Sequence, residues 1–123
     1  YGHNSRIDFL LTDETLPDCY VEVKNVTLTG PDGWAEFPDT VTERGTKHLG
    51  ELTQMVAQGH RAVMLYFVQR TDCTKFRLAH ELDPAYAAAY VKARAAGVEM
   101  LCYTCTISPQ EIRLKTALPV EQN

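Results

Sequence analysis

No apolar run in this chain approaches the ~18 residues that a membrane-spanning helix needs. The N-terminal residues also lack the basic, apolar, small-residue order of a secretory leader. Cysteine is sparse: Cys19, Cys73, Cys102 and Cys105 are the four in 123 residues. At this length a chain buries roughly two-thirds of its unfolded surface, so no secreted disulfide framework is expected. Cys102 and Cys105 have CxxC spacing, but they lie on the apolar run Val98-Glu99-Met100-Leu101-Cys102-Tyr103, where residues three apart face opposite ways. No second CxxC or histidine pair completes a tetrahedral set. Buried thiols in a reducing cytoplasm are the expectation. Repeats, linkers and low-complexity stretches are missing too, which leaves one domain by the usual size rule. A basic excess is also lacking: the net charge is −4, which argues against bulk electrostatic binding of nucleic acid.

What is present is ordinary for a globular protein, with 45% apolar and 23% charged residues. The charge is unevenly placed. Residues 1–39 hold eight acids (Asp8, Asp13, Glu14, Asp18, Glu22, Asp32, Glu36, Asp39) against Arg6 and Lys24, a balance of −6; residues 40–123 balance to +2. The chain starts at Tyr1 rather than at a methionine, which reads as a fragment or a processed product.

Alternation and turn signals predict strands over Ser5–Thr12 and Cys19–Thr29, joined as an antiparallel hairpin. Gly30-Pro31-Asp32-Gly33 marks a turn, and Trp34–Phe37 suits a short third strand halted by Pro38. A helix is expected from Glu43 to Gln58, its apolar positions Leu49, Leu52, Met55 and Val56 at helical spacing and Gly59 just beyond its end. The continuous apolar run Ala62–Val68 fits a central strand covered on both faces. Asp83-Pro84 supplies an N-cap and a proline at the first helical position, opening a helix over Ala85–Ala96 that stops at Gly97. Val98–Ile107 is the next strand, and Glu111–Leu114 suits an edge strand. The order predicts an α/β fold with a mixed sheet flanked by helices.

Charged side chains within the first two strands stand out. Asp8 interrupts Ile7-Asp8-Phe9-Leu10-Leu11; Glu22 and Lys24 interrupt Tyr20-Val21-Glu22-Val23-Lys24-Asn25-Val26. Glu22 and Lys24 share one strand face, roughly 7 Å apart. Burying such charges is costly unless they are paired or coordinate a metal. If the two strands pair, the Asp8 and Glu22 carboxylates converge. A hard cation such as Mg²⁺ (or Mn²⁺) would be held there with the Val23 carbonyl as a further ligand, and Lys24 would serve as the catalytic cation beside a phosphodiester. The bland alternative is that Glu-x-Lys pairs on half-exposed strands arise often by chance. Arg44 and Lys47, with His48 flanking them, lie near the start of the first helix and are candidate phosphate contacts. An ordinary solvated face bearing Arg44, Lys47 and Glu51 is the competing reading. Trp34 and Phe37 could stack on a base, though core packing suits them better. His3, His60 and His80 have no partner at ligand spacing and are expected at the surface.

Four segments carry a specific likeness: Ser5-Arg6-Ile7-Asp8-Phe9-Leu10-Leu11, the run from Pro17 to Leu28, the run from Phe37 to Leu49, and Gly59-His60-Arg61-Ala62-Val63. Together with Asp83-Pro84 and Ala95-Ala96-Gly97-Val98-Glu99, they closely resemble the bacterial and archaeal sugar fermentation stimulation protein family along the whole chain. The resemblance implies a restriction-endonuclease-like, PD-(D/E)xK fold, with Asp8, Glu22 and Lys24 on its motif positions. It also implies an N-terminal OB-fold-like domain and a first nuclease helix, both absent from these 123 residues. The family is described as DNA-binding and linked to regulation of sugar (maltose) metabolism. The motif aspartate here follows Ile7 rather than proline.

Two functions remain open from the sequence. One is a DNA-binding protein with a Mg²⁺-dependent nuclease site that hydrolyses phosphodiester bonds. The other is a non-catalytic DNA-binding regulator of sugar metabolism that keeps the nuclease scaffold. A cytoplasmic protein with DNA as partner and no membrane association is expected under both, and the oligomeric state is left open.

Overall fold

A computed structural model describes residues 9–70, 72–107 and 112–121. Strand β1 (Phe9–Asp13) turns back through Glu14 and Thr15 into the long strand β2 (Leu16–Val26). After Thr27 the chain leaves this sheet for β3 (Leu28–Thr29), a 3₁₀ turn at Pro31–Gly33, and β4 (Trp34–Phe37). Helix α1 (Glu43–Ala57), strand β5 (Arg61–Val68), strand β6 (Lys75–Leu78), helix α2 (Pro84–Ala96), strand β7 (Glu99–Ile107) and strand β8 (Ile112–Ala117) complete the order.

The main sheet has the order β1-β2-β5-β7-β8. Its core is parallel, β2 with β5 and β5 with β7, and its two edges β1 and β8 pair antiparallel. The apolar run of β5 makes it the centre, buried along most of its length. Strands β3, β4 and β6 form a separate three-stranded sheet, with β4 and β6 parallel. The expected strand over Cys19–Thr29 is therefore two strands in two sheets, and β6 is an element that its four-residue pattern did not announce.

The even-numbered side chains of β5, Ala62, Met64, Tyr66 and Val68, share one face and pack with Leu49 and Leu52 of α1, Tyr86 and Tyr90 of α2, and Cys102 of β7. Phe37 of β4 and Phe76 of β6 bring the small sheet onto the same core. Their rings lie 5.5 and 4.5 Å from the Tyr66 ring. The reverse face of the main sheet carries a smaller cluster of Cys19, Val21 and Val63 with Val23 and Leu65, to which neither helix contributes a residue. Cys19, Cys73 and Cys102 are buried, whereas the side chain of Cys105 lies outside the described residues.

Both helices start from one buried carboxylate. Thr42 caps α1 through its hydroxyl, which accepts from Gly45 N at 3.0 Å, and Thr42 N itself donates to Asp83 Oδ2 at 2.8 Å. Asp83 Oδ1 accepts from Tyr86 N at 3.0 Å and so caps α2. Gly45 is required by closeness: a Cβ there would stand 3.1 Å from the Tyr86 ring. The register of α1 is therefore locked to α2 before it reaches the sheet.

Candidate active site

Strand β2 is overlaid by α1, and its register with β5 sets which side chains meet the helix. Glu22 lies opposite Met64 and Lys24 opposite Tyr66, so both charged side chains point to the helix-covered face. Glu22 is 1% exposed, and Lys24 is half-buried. The side chain of Val23, between them, falls on the reverse face with Leu65.

Helix α1 sends His48 into this corner. His48 is 4% exposed, and its Nδ1 lies 3.0 Å from Lys24 Nζ and 3.6 Å from Glu22 Oε2. At 3.6 Å the second approach is too long for a hydrogen bond. An ammonium can only donate, so with Lys24 charged this contact is a hydrogen bond in the tautomer that carries the ring proton on Nε2. A carboxylate, an ammonium and an imidazole are thus collected from two elements, strand β2 and helix α1.

The helix-face residues separate. Arg44 and Lys47 are exposed, whereas His48 is turned inward, away from the face on which it was expected with them. Glu51, expected on the solvated side, is 7% exposed, and its Oε1 lies 3.8 Å from Lys47 Nζ. The reason is helical phase: His48 precedes Leu52 by four residues and Met55 by seven, so it belongs to the buried stripe, with Glu51 three residues on beside it. That spacing was visible in the sequence and is the signal that could have placed both inside.

Asp8 lies outside the described residues, so its distance to Glu22 is not part of this geometry. Among the described residues, no group of three or more His, Cys, Asp or Glu side chains forms a metal-binding cluster. Phe37 packs in the core against Tyr66 and Tyr86. The half-buried Trp34 ring carries Lys75 Nζ 4.4 Å and the Arg77 guanidinium 4.7 Å from its centre. His60 packs edge-on against Tyr20, half-buried rather than on open surface.

A five-stranded mixed sheet with a buried strand carboxylate, a lysine two residues on and two helices over that face is the restriction-endonuclease-like, PD-(D/E)xK arrangement. The profile described as "Sugar fermentation stimulation protein RE domain" matches residues 1–111, and the chain belongs to this family. It is 64% identical over 121 residues to the sugar fermentation stimulation protein homolog of Dinoroseobacter shibae, covering 98% of this chain and 50% of that protein. The homolog of Roseobacter denitrificans is 61% identical over 120 residues, covering 98% and 51% respectively. The solved structure of Pyrococcus furiosus SfsA, described as a complex with Ca²⁺, superposes with a TM-score of 0.85 at 28% identity. That likeness covers 98% of this chain and 52% of that one. The chain spans about half the length of the curated relatives it matches. No helix among the described residues is long and apolar enough to cross a membrane.

Proposed function

We propose that this chain is a divalent-metal-dependent nuclease domain that hydrolyses phosphodiester bonds in DNA. The observation that carries the reading is the Glu22 carboxylate, 1% exposed, on the same strand face as Lys24 in a restriction-endonuclease-like sheet. Burying a carboxylate away from water is costly, and a metal-binding role would account for its retention. The donor set fits a hard cation: carboxylate oxygen from Glu22, backbone oxygen from Val23 and, in this proposal, carboxylate oxygen from Asp8. The Pyrococcus furiosus relative is described with Ca²⁺, an ion of the same oxygen-seeking class as Mg²⁺ and Mn²⁺. When bound, the cation would acidify a water and polarise the phosphate. The residues of the chain would do the rest. Glu22 and Asp8 would fix the position of the positive charge, Lys24 would neutralise charge developing on the phosphate oxygens, and the exposed Arg44 and Lys47 would hold the flanking backbone.

The test is an assay of the protein on single- and double-stranded DNA with Mg²⁺ or Mn²⁺. Lys24→Ala is expected to lower kcat about a hundredfold or more, and Glu22→Gln to abolish turnover, both with DNA binding retained. Arg44→Ala and Lys47→Ala should each reduce the salt slope of binding by roughly one. Turnover that survives Glu22→Gln would overturn the catalytic assignment.

The second reading is a DNA-binding regulator of sugar metabolism that retains the scaffold without cleavage. Its support is the family's name. Tight DNA binding with no turnover under either metal would decide for it.

A further inference from the structure

We infer that His48 is the positioning residue for Lys24, holding the ammonium at the active corner through a hydrogen bond accepted at Nδ1. A lysine side chain has four rotatable bonds and a point charge, so by itself it fixes no direction in space. Lys24 is only half-buried, and His48 gives its ammonium a short, directed contact, Nζ to Nδ1 at 3.0 Å. The imidazole is itself immobile: it is 4% exposed, and its helix is held by the Thr42 cap and the Asp83 carboxylate. Glu22 Oε2 approaches the same nitrogen at 3.6 Å, too far to compete for it. The corner therefore has a division of labour. Glu22 supplies negative charge, Lys24 positive charge, and His48 the angle between them.

This arrangement also separates His48 from the phosphate-contact role of Arg44 and Lys47. Its acceptor nitrogen faces the strand, and the ring is closed off from bulk water. The catalytic consequence rests on the nuclease reading above, but the contact itself can be tested without it.

With ¹⁵N-histidine-labelled protein near neutral pH, long-range proton–nitrogen correlation spectra report which ring nitrogen of His48 carries hydrogen. The expected result is an unprotonated, hydrogen-bonded Nδ1 and a protonated Nε2 in the wild-type protein. Lys24→Met, of similar length without a donor, should move the Nδ1 resonance while leaving residues distant from β2 and α1 unshifted. A wild-type ring protonated at Nδ1, or an Nδ1 resonance indifferent to Lys24→Met, would overturn the inference. In the cleavage assay, His48→Ala is expected to lower kcat about tenfold with KM unchanged, and His48→Gln, whose amide oxygen can accept, to recover part of the loss. A raised KM with kcat intact would overturn the positioning role. A wild-type protein that cuts no DNA sinks the nuclease reading, and the Nδ1 measurement then decides the positioning role alone.

Discussion

Three buried tyrosines show how hydroxyl chemistry is handled one residue at a time. Tyr66 and Tyr86 share a hydrogen bond of 2.6 Å between their hydroxyls, both side chains fully buried. The Tyr90 hydroxyl is buried beside them and has no hydrogen-bond partner among the described residues. A buried hydroxyl without a partner costs folding free energy, whereas breaking a pair leaves one such group behind. Tyr90→Phe is therefore expected to be neutral or to stabilise by up to about 1 kcal/mol, and Tyr86→Phe to destabilise by about 1–2 kcal/mol. Urea denaturation of the two variants checks the opposite signs. In the candidate site, the Glu22 and Lys24 pair was legible from the strand pattern because alternation puts both on one face. The burial of His48 was not read, because a polar residue inside an apolar stripe is ambiguous until its partner strand is known.

Among the elements, α2 was the most legible because its signals are local. Asp83 caps it, Pro84 occupies its first turn, and Gly97 ends it at φ 111°, a left-handed conformation that a side chain resists. A Cβ at Gly97 would also stand 3.3 Å from Val56 Cγ1 of α1. Gly50 differs: it sits exposed within α1, and a Cβ there would meet nothing within 4 Å. Gly50→Ala is thus expected to stabilise by about 1 kcal/mol through helix propensity, and Gly97→Ala to destabilise by about 1–2 kcal/mol. Thermal melts should move in opposite directions, and a stabilising Gly97→Ala would contradict the reading of that cap. Strand β6 was illegible for the converse reason. Its four residues carry too short a pattern, and their pairing with β4 bridges 41 positions of chain, as in the Arg77–Glu36 contact.

For the whole molecule, stability at alkaline pH depends on the same tyrosine-lined core. Burial pushes the Tyr66 hydroxyl well above its ordinary range, raises that of Tyr86, and pushes Tyr90 up to about 12. The unfolded chain would release these protons nearer the ordinary value of 10.0, before the folded chain does. Their contribution to stability is therefore fully present below about pH 10 and is lost as pH climbs toward the folded values. Urea midpoints should hold level up to about pH 10 and fall above it. A flat midpoint through about pH 12 would contradict the burial of this cluster. Acid has a separate, weaker lever: the Arg61 guanidinium hydrogen-bonds Glu99 and holds its carboxyl below the usual range. That contribution is present above the ordinary carboxyl value and fades as pH falls through the lowered one.

Local chemistry in the sequence by itself determined the succession along the chain of the strands that form the main sheet, the caps of α2, the central position of β5 and the placing of Glu22 and Lys24 on one face. Each of these depends on near neighbours in the chain, through alternation, capping or turn geometry. Tertiary structure alone decided that the strand after Val26 leaves for a second sheet, that both helices cover one face, and that His48 meets Lys24 across 24 residues of chain. Those outcomes depend on which surfaces bury one another. No run of neighbouring residues can encode burial between parts of the chain that meet only once it has folded.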